Sequence, residues 1–455
     1  MKKVFTLFLA AVMVLSGCVT QIGTKQAEPA EPIGIAAAFV EMIGTGAYAE
    51  AWEMLDETMR SVIPSADVLA EAWASITAFT GEFQEIVRTD AEFNPAAGTT
   101  AYEIIALHEE PSMLTHTTVI FDEDGKIPGF SIVIIANPEF AAEASDLFTE
   151  EPIFVGAGGK YPLPGLLTMP ADAEGPVPAV VIVHGSGPID RDCTIFYTKP
   201  YRDIAHYLAA NGIASVRYDK RTLVYAEEMV SPIEYYMEYT VDWEMVDDAL
   251  LAKELLEADP RIDSGRIYVI GHSLGGVLAP EIAATGDFAG FVIMAGTLIP
   301  LTEAVVHQYE HLLQDVPAEI AEPLMAEARL AHELFLEAMT KTEEENKTYF
   351  IHGFPANYVV NLAKRSPVPF IQAWERPGLI LHGDMDYQCR WDIDFVEYMR
   401  ITEGMDNIEG ILYENLTHLF TQSYSTTGMG TADDYAVPGH VDEAVLRDIV
   451  RFILN

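Results

Sequence analysis

The amino-acid sequence predicts two folded bodies in one chain: a small α+β domain, then a larger α/β domain on a mainly parallel sheet with a helical insertion. Three observations carry this. Within residues 34–140 the hydrophobic period changes from helical to alternating. From residue 150 onward, short apolar runs alternate with helical stretches. Residues 297–372 then interrupt that alternation with one long helix-like segment. A length of 455 residues also exceeds what a single hydrophobic core supports.

In the first body, Tyr48, Trp52 and Leu55 fall at i, i+4, i+7, and Leu69, Ala72, Trp73 and Ile76 at i, i+3, i+4, i+7, which is helical spacing. The period then drops to two, with Tyr102, Ile104 and Ala106 on one strand face. "LTHTTVIF" and "IPGFSIVII" follow, joined by the turn "DEDGK". Helices first and an antiparallel meander afterwards make an α+β domain. His108 and His116 lie on its strands with no catalytic set around them. The element order and the stretch "FDEDGKIPGF" resemble the cone of nuclear-transport-factor-2-like (NTF2-like) domains that precede some secreted hydrolases.

In the second body, "VPAVVIVHG", "GIASVRYD", "RIYVIGHS", "FAGFVIMAG" and "RPGLILHGD" are apolar runs, rich in β-branched residues and ending in Gly or Asp. Unbroken apolar character is expected of strands covered by helices on both faces. Between them, Met245, Ala249, Ala252 and Leu256 keep helical spacing. Such a sheet binds its ligand at the carboxyl ends of the strands. The segment 297–372, rich in Glu, Ala, Met and Leu and without a strand run, reads as a helical cap inserted over that edge.

Composition bounds the function classes. Hydrophobic residues make up 50% and charged residues 21% of the chain, a globular profile. Against 26 Lys and Arg stand 70 Asp and Glu, a net charge of -44; no basic face is available for nucleic acid. No H-E-x-x-H pattern, clustered Cys/His spacing or Walker-type glycine loop occurs.

The N-terminus carries a separate message. Lys2 and Lys3 precede the apolar run "VFTLFLAAVMVL", too short for a stable span, and "LSGC" ends at Cys18. Leu15-Ser16-Gly17-Cys18 resembles the bacterial lipobox, which implies a signal peptide over residues 1–17 and lipidation of Cys18. Residues 18–33, with "KQAEPAEP", then read as a tether. The expectation is a lipoprotein outside the cytoplasm, held to a membrane through Cys18 alone. The other cysteines, Cys193 and Cys389, fall in loops near the active edge of the sheet; their spacing does not pair them, and two free thiols are expected.

Chemistry converges on Ser273. Gly271-His272-Ser273-Leu274-Gly275 follows the strand run "IYVI" and opens the helical run "GGVLAPEIA". A serine on such a sharp strand–helix turn has its hydroxyl lifted above the sheet, where a base can reach its proton. An acid and a histidine should follow in that chain order. Asp386 comes after the strand "LILHG", and His418 after the strand in "ILYENLTHLF", so all three emerge at one edge. Asp384 is a rival acid that spacing alone does not exclude. The histidines at 184, 272, 307, 311, 332, 352, 382 and 440 are read as structural. For the oxyanion, one donor should be the N–H of Leu274; the other should come from His184-Gly185-Ser186-Gly187, with Ser186 N–H as the choice.

Taken together, "VHGSGPIDRD", "RDIAHYLAANGIASVRYDKRT", "VIGHSLGGVLAPEIA", "LHGDMDYQ", "THLF" and "PGHVDEAVLRDIVRFI" resemble the α/β-hydrolase fold, in its group of bacterial extracytoplasmic esterases with a cone-like N-terminal domain. The resemblance covers residues 150–455 and implies an eight-stranded, mainly parallel sheet. It implies Ser273 as nucleophile, with Asp386, in preference to Asp384, and His418 as partners. It further implies hydrolysis of a small-molecule carboxylic ester of small to medium acyl chain, without metal or other cofactor. It makes Arg191, Asp192, Arg217, Asp219 and Arg221 a structural ion network behind the oxyanion loop. Thr417 and Cys389 depart from the family pattern, where Asn and Val are usual. Amide or peptide hydrolysis and acyl transfer use the same triad, and a non-catalytic binding lipoprotein is the alternative outside enzymes. Acyl preference and oligomeric state are not written in the sequence.

Overall fold

Strand and helix follow the change of hydrophobic period along the chain. The computed structural model describes residues 31–455 except 95–98, 110–112, 123, 137–144, 197, 227–236, 238, 315 and 426–427. Cys18, the leader and most of the tether therefore lie outside the described residues. The folded chain divides into two compact units at about residue 143.

The first unit has helices Glu31–Gly44, Tyr48–Met54, Glu57–Val62 and Ala66–Thr80. Asp56 and Ser65 start two of them by accepting the backbone N–H of Met59 and Val68. Four strands follow in sequential antiparallel order: β1 (Phe83–Asn94), β2 (Thr99–His108), β3 (Met113–Ile120) and β4 (Gly129–Ala136). Phe39, Ile43, Leu69 and Trp73 of the helices pack against Tyr102, Ile104 and Ala106 of β2. Strand β1 has no signal in the sequence because Glu85, Arg88 and Asp90 on it are exposed; pairing with β2, rather than apolar alternation, makes it a strand. His108 is a satisfied core histidine, with Nδ1 2.9 Å from Thr80 Oγ1 and Nε2 2.9 Å from Thr115 Oγ1. His116 faces Glu103 at 3.3 Å.

The second unit is an eight-stranded sheet built from β5 (Phe148–Val155), β6 (Leu163–Pro170), β7 (Val177–Val183), β8 (Ala214–Tyr218), β9 (Ile262–His272) and β10 (Gly290–Met294), then β13 (Gly378–Gly383) and β14 (Ile408–Tyr413). The spatial order is β14-β13-β10-β9-β7-β8-β6-β5. The five central pairings are parallel, while β5 and β6 add an antiparallel edge. Every residue of β7, β10 and β13 is buried. Successive residues of β7 serve different cores: Ala179, Val181 and Val183 join one cluster, Val180 and Ile182 the other. That division is what helices on both faces of a pleated strand require.

The insertion contains helices Leu301–Leu312, Ala318–Ala338, Glu343–Asn346, Ala356–Ala363 and Val368–Ala373. Contrary to the expectation of no strand, it also holds a two-stranded ribbon, β11 (Phe350–Ile351) and β12 (Phe354–Pro355). His352 at φ 53° and Gly353 at φ 80° make its turn, both left-handed as a two-residue hairpin of the primed type needs. Strands this short show no readable period. Ala331, Phe335, Tyr358, Leu362 and Ile371 of the insertion belong to the same apolar cluster as β7 and β9. Much of the insertion is thus part of the core and not a detached lid.

Candidate active site

Strands β9, β10, β13 and β14 run parallel, so the segments after them share one edge of the sheet. Strand β9 ends at His272 and the helix Leu274–Thr285 begins at once, leaving Ser273 as the whole turn. Its backbone sits at φ 55°, ψ -117°, a conformation that costs a non-glycine residue about 1–3 kcal/mol. The surroundings impose it: Ser273 N–H donates to the Met294 carbonyl at 2.8 Å, and its own carbonyl accepts from Val277 N–H at 3.1 Å. The flanking glycines are steric necessities. A Cβ on Gly271 would lie 2.0 Å from the Gly275 oxygen, and one on Gly275 would lie 2.5 Å from the carbonyl oxygens of Val183 and His184. A Cβ on Gly185 would come 3.2 Å from Ser273 Cβ, which sets the loop after β7 beside the serine.

Asp386 and His418, from the loops after β13 and β14, meet with His418 Nδ1 2.7 Å from Asp386 Oδ2. Asp386 is 0% exposed. Its Oδ1 accepts the backbone N–H of Gln388 at 2.8 Å and of Cys389 at 2.9 Å. Burial pushes this carboxyl up, but the His418 imidazole beside it and these hydrogen bonds outweigh burial and hold it below the usual carboxylate range. Asp384 is spent elsewhere, accepting Asn415 N–H at 2.6 Å.

The Cys389 thiol lies beside this pair. The residue before the serine provides the hydrogen-bonded link, His272 Nε2 lying 2.9 Å from the His418 carbonyl. One oxygen of Asp386, the sulfur of Cys389 and one nitrogen of His418 lie within 4.8 Å of one another. These three are the one cluster of metal-ligand spacing among the described residues. Both Asp386 oxygens accept hydrogen bonds within the protein. Cys193 and Cys389 are both free and buried.

A second polar layer lies behind. His272 Nε2 is 2.9 Å from the His418 carbonyl, and its Nδ1 is 3.1 Å from Tyr201 Oη. A carbonyl only accepts, so His272 carries its proton on Nε2, and Tyr201 donates to Nδ1 while accepting Gly185 N–H at 3.2 Å. Burial, then the neighbouring His418, pushes the His272 pKa down to about 3. Burial, then Lys220, does the same to His184, also to about 3. Around the loop, Arg191 pairs with Asp219 at 2.5 Å, and Arg217 with Asp192 at 2.8 Å and Glu150 at 2.6 Å. Arg221 pairs with Asp248. No acceptor among the described residues takes the N–H of Ser186 or of Leu274.

Residues 180–426 match the alpha/beta hydrolase family. Esterase EstD of Thermotoga maritima is 31% identical over 424 residues, spanning 92% of this chain and 94% of its own. The chain belongs to the alpha/beta hydrolase family. Among solved structures, Est1E from Butyrivibrio proteoclasticus covers 67% of this chain and 97% of its own at 16% identity, with a TM-score of 0.40. A Pyrococcus furiosus esterase covers 69% and 96% at 12% identity, with a TM-score of 0.42.

In this hydrolase the expected residues Ser273, Asp386 and His418 come to one sheet edge, His418 bonded to Asp386 and, through its carbonyl, to His272 beside Ser273, with Ser186 and Leu274 on the segments next to it. Tyr201 and Glu244 carried no motif and were missed, and Lys220, though inside the stretch "RDIAHYLAANGIASVRYDKRT", was given no role. Glu150 and Asp248 complete the ion network and were likewise unread. The one available signal was the lysine between the strand-end "RYD" and Arg221. From the insertion, Gln308 Nε2 donates to the Gln388 carbonyl at 3.1 Å and His311 Nε2 to the Gly430 carbonyl at 2.8 Å. Tyr387, Leu419 and Tyr435, with Leu312 and Met429 against them, form an apolar cluster next in sequence to Asp386 and His418.

Proposed function

We propose that this hydrolase is a serine carboxylesterase acting on small-molecule esters of small to medium acyl chain. The observation that carries the reading is the strained turn at Ser273, next to His272, which hydrogen-bonds the His418 carbonyl of the His418–Asp386 pair. The 31% identical relative being an esterase supports ester chemistry, and the apolar cluster around Tyr387 and Leu419 supports an apolar acyl group.

In the proposed reaction, His418 Nε2 takes the Ser273 proton as Oγ attacks the ester carbonyl. Asp386 holds the proton on Nδ1 and balances the imidazolium that forms. The tetrahedral oxyanion is received by the free N–H groups of Ser186 and Leu274, each worth about 3–4 kcal/mol where such donors have been removed. His418 then protonates the leaving alcohol, giving an acyl-enzyme. Water, deprotonated by the same imidazole, attacks it, and the acid and free Ser273 are released.

Ser273→Ala should abolish turnover of p-nitrophenyl esters, and a fluorophosphonate should label Ser273 alone. Retained turnover, or label on another residue, overturns the reading. A panel of esters graded in chain length, with matched amides, separates esterase from amidase. The NTF2-like character of the first unit and the lipid anchor at Cys18 belong to the same proposal. Palmitate incorporation that is lost in Cys18→Ser is the expected result for the anchor.

A further inference from the structure

Resting on that reading, we propose that Lys220 is a positioning residue that aims the Ser186 N–H of the oxyanion site. We further propose that the inserted cap takes part through Tyr358, which sets Glu244, which in turn sets Lys220.

The geometry starts from one peptide bond. Lys220 Nζ donates to the Gly185 carbonyl at 2.8 Å. Gly185 C=O and Ser186 N–H belong to the same planar trans peptide, so they point in opposite directions. A hydrogen bond that fixes the first therefore fixes the second, and a rotation of this peptide would withdraw the donor. The preceding peptide is pinned as well, because Gly185 N–H donates to Tyr201 Oη. Lys220 N–H donates to the Ile189 carbonyl at 3.0 Å, which ties the far end of the same loop to the lysine's own backbone.

The lysine has a partner behind it. Its Nζ lies 2.8 Å from Glu244 Oε1. Glu244 sits on the π-helical turn Asp242–Val246, a local irregularity of the kind that recurs at functional sites. Its other oxygen, Oε2, accepts the Tyr358 hydroxyl at 2.6 Å. Tyr358 comes from the helix Ala356–Ala363 of the insertion. Lys220, Glu244 and Tyr358 are 1%, 3% and 2% exposed. A charged pair that deep is costly to bury and needs every lone pair satisfied; here each bond satisfies the next, and the sequence ends on the oxyanion loop.

The test uses the full-length chain and p-nitrophenyl butyrate, with kcat and KM measured separately and inhibition by a trifluoromethyl ketone measured alongside. Lys220→Met should lower kcat by about 10²–10³-fold, the loss seen when an oxyanion donor is removed. KM should stay within about twofold, and the tetrahedral ketone adduct should weaken in step with kcat. Lys220→Met/Glu244→Gln removes both charges; if only a stranded carboxylate were at fault, this pair would restore kcat, so persistence of the defect is the expected result. Tyr358→Phe deletes one hydroxyl and should lower kcat by roughly three- to tenfold, the weight of one hydrogen bond. Tyr358→Phe should add nothing to Lys220→Met, since both act through one peptide. Wild-type kcat in either single variant, restoration in the charge-deleted pair, or full additivity overturns the proposal. If Lys220→Met does not fold, Tyr358→Phe alone decides it by the kcat and KM split. Ser273→Ala keeps the two readings apart: turnover that survives it defeats the esterase mechanism. Turnover that it abolishes, with Lys220→Met unchanged, defeats only the role of Lys220.

Discussion

Replacing Asp386 by Asn should leave the fold intact and nearly abolish turnover. The structure explains why one oxygen matters more than the other. Oδ1 accepts two backbone N–H groups, from Gln388 and Cys389, while Oδ2 alone faces His418 Nδ1 at 2.7 Å. An asparagine satisfies the two N–H groups only by placing its amide oxygen at the Oδ1 position. Its NH2 then faces His418 Nδ1, which must become an acceptor, and the imidazole proton moves to Nε2. In that tautomer the ring has no lone pair for the Ser273 proton. A loss of about 10³–10⁴-fold in kcat is expected from a tautomer error of this type, or about 4–5.5 kcal/mol of barrier. Stability should hold, because no buried N–H is orphaned. Asp386→Ala, by contrast, strands both N–H groups at about 1–3 kcal/mol each and should lower the melting temperature as well. The assay is kcat on p-nitrophenyl butyrate with a thermal melt of each variant. Asp384→Asn is the control: its amide oxygen still accepts the Asn415 N–H, and activity should stay within about twofold, as surface changes usually do. If Asp386→Asn kept more than a tenth of wild-type kcat, or Asp384→Asn lost as much, the assignment of Asp386 would be refuted.

Gly275→Ala should destabilise the hydrolase unit by about 1–3 kcal/mol or more, because its Cβ would sit 2.5 Å from two backbone oxygens; Gly175→Ala, with nothing within 4 Å, should melt like wild type. His184 and His272 are held neutral to about pH 3 by burial, whereas they take up protons near pH 6.5 when unfolded. The unfolded chain thus binds protons first on acidification, so stability is full above about pH 6.5 and falls as pH drops toward 3, by up to about 1.4 kcal/mol per unit for each group. Melts between pH 7 and 5 check this, and a flat profile contradicts it. Burial pushes the Cys193 and Cys389 thiols well up, so neither should react with a thiol-disulfide reagent at pH 8 until the protein is unfolded.

The central strands were legible because burial on both faces writes an unbroken apolar run; β7, β10 and β13 are buried at every position. Strands β1, β5 and β6 were not, and the reason is positional. They pair antiparallel, β1 and β5 at sheet edges, where one face meets water and the apolar signal thins; Val87 of β1 is 50% exposed and Phe154 of β5 is 54% exposed. The candidate site divides in the same way. Ser273 could be read because steric crowding demands glycine at 271 and 275, and a demand on the backbone leaves a mark on adjacent residues. Asp386 and His418 could be read because parallel strands deliver them in chain order to one edge. Lys220, Glu244 and Tyr358 share no local constraint, and only long-range folding makes them neighbours.

Donor and acceptor accounting around Ser273 turns these separate placements into one argument about the reaction. Gly185 N–H is taken by Tyr201, Tyr201 O–H by His272 Nδ1, and His272 Nε2–H by the His418 carbonyl. Gly185 C=O is taken by Lys220, and both oxygens of Asp386 are filled. Each bond in this set uses a group that would otherwise compete for the developing oxyanion or for the imidazole. The backbone N–H groups of Ser186 and Leu274 are two of those left without a protein acceptor among the described residues. Ser186 is exposed and Leu274 buried, and a donor left unpaired there becomes useful when negative charge develops beside it. Donors left without acceptors beside a strained serine are what the proposed mechanism requires, since they bind a tetrahedral oxyanion more tightly than the ester it came from.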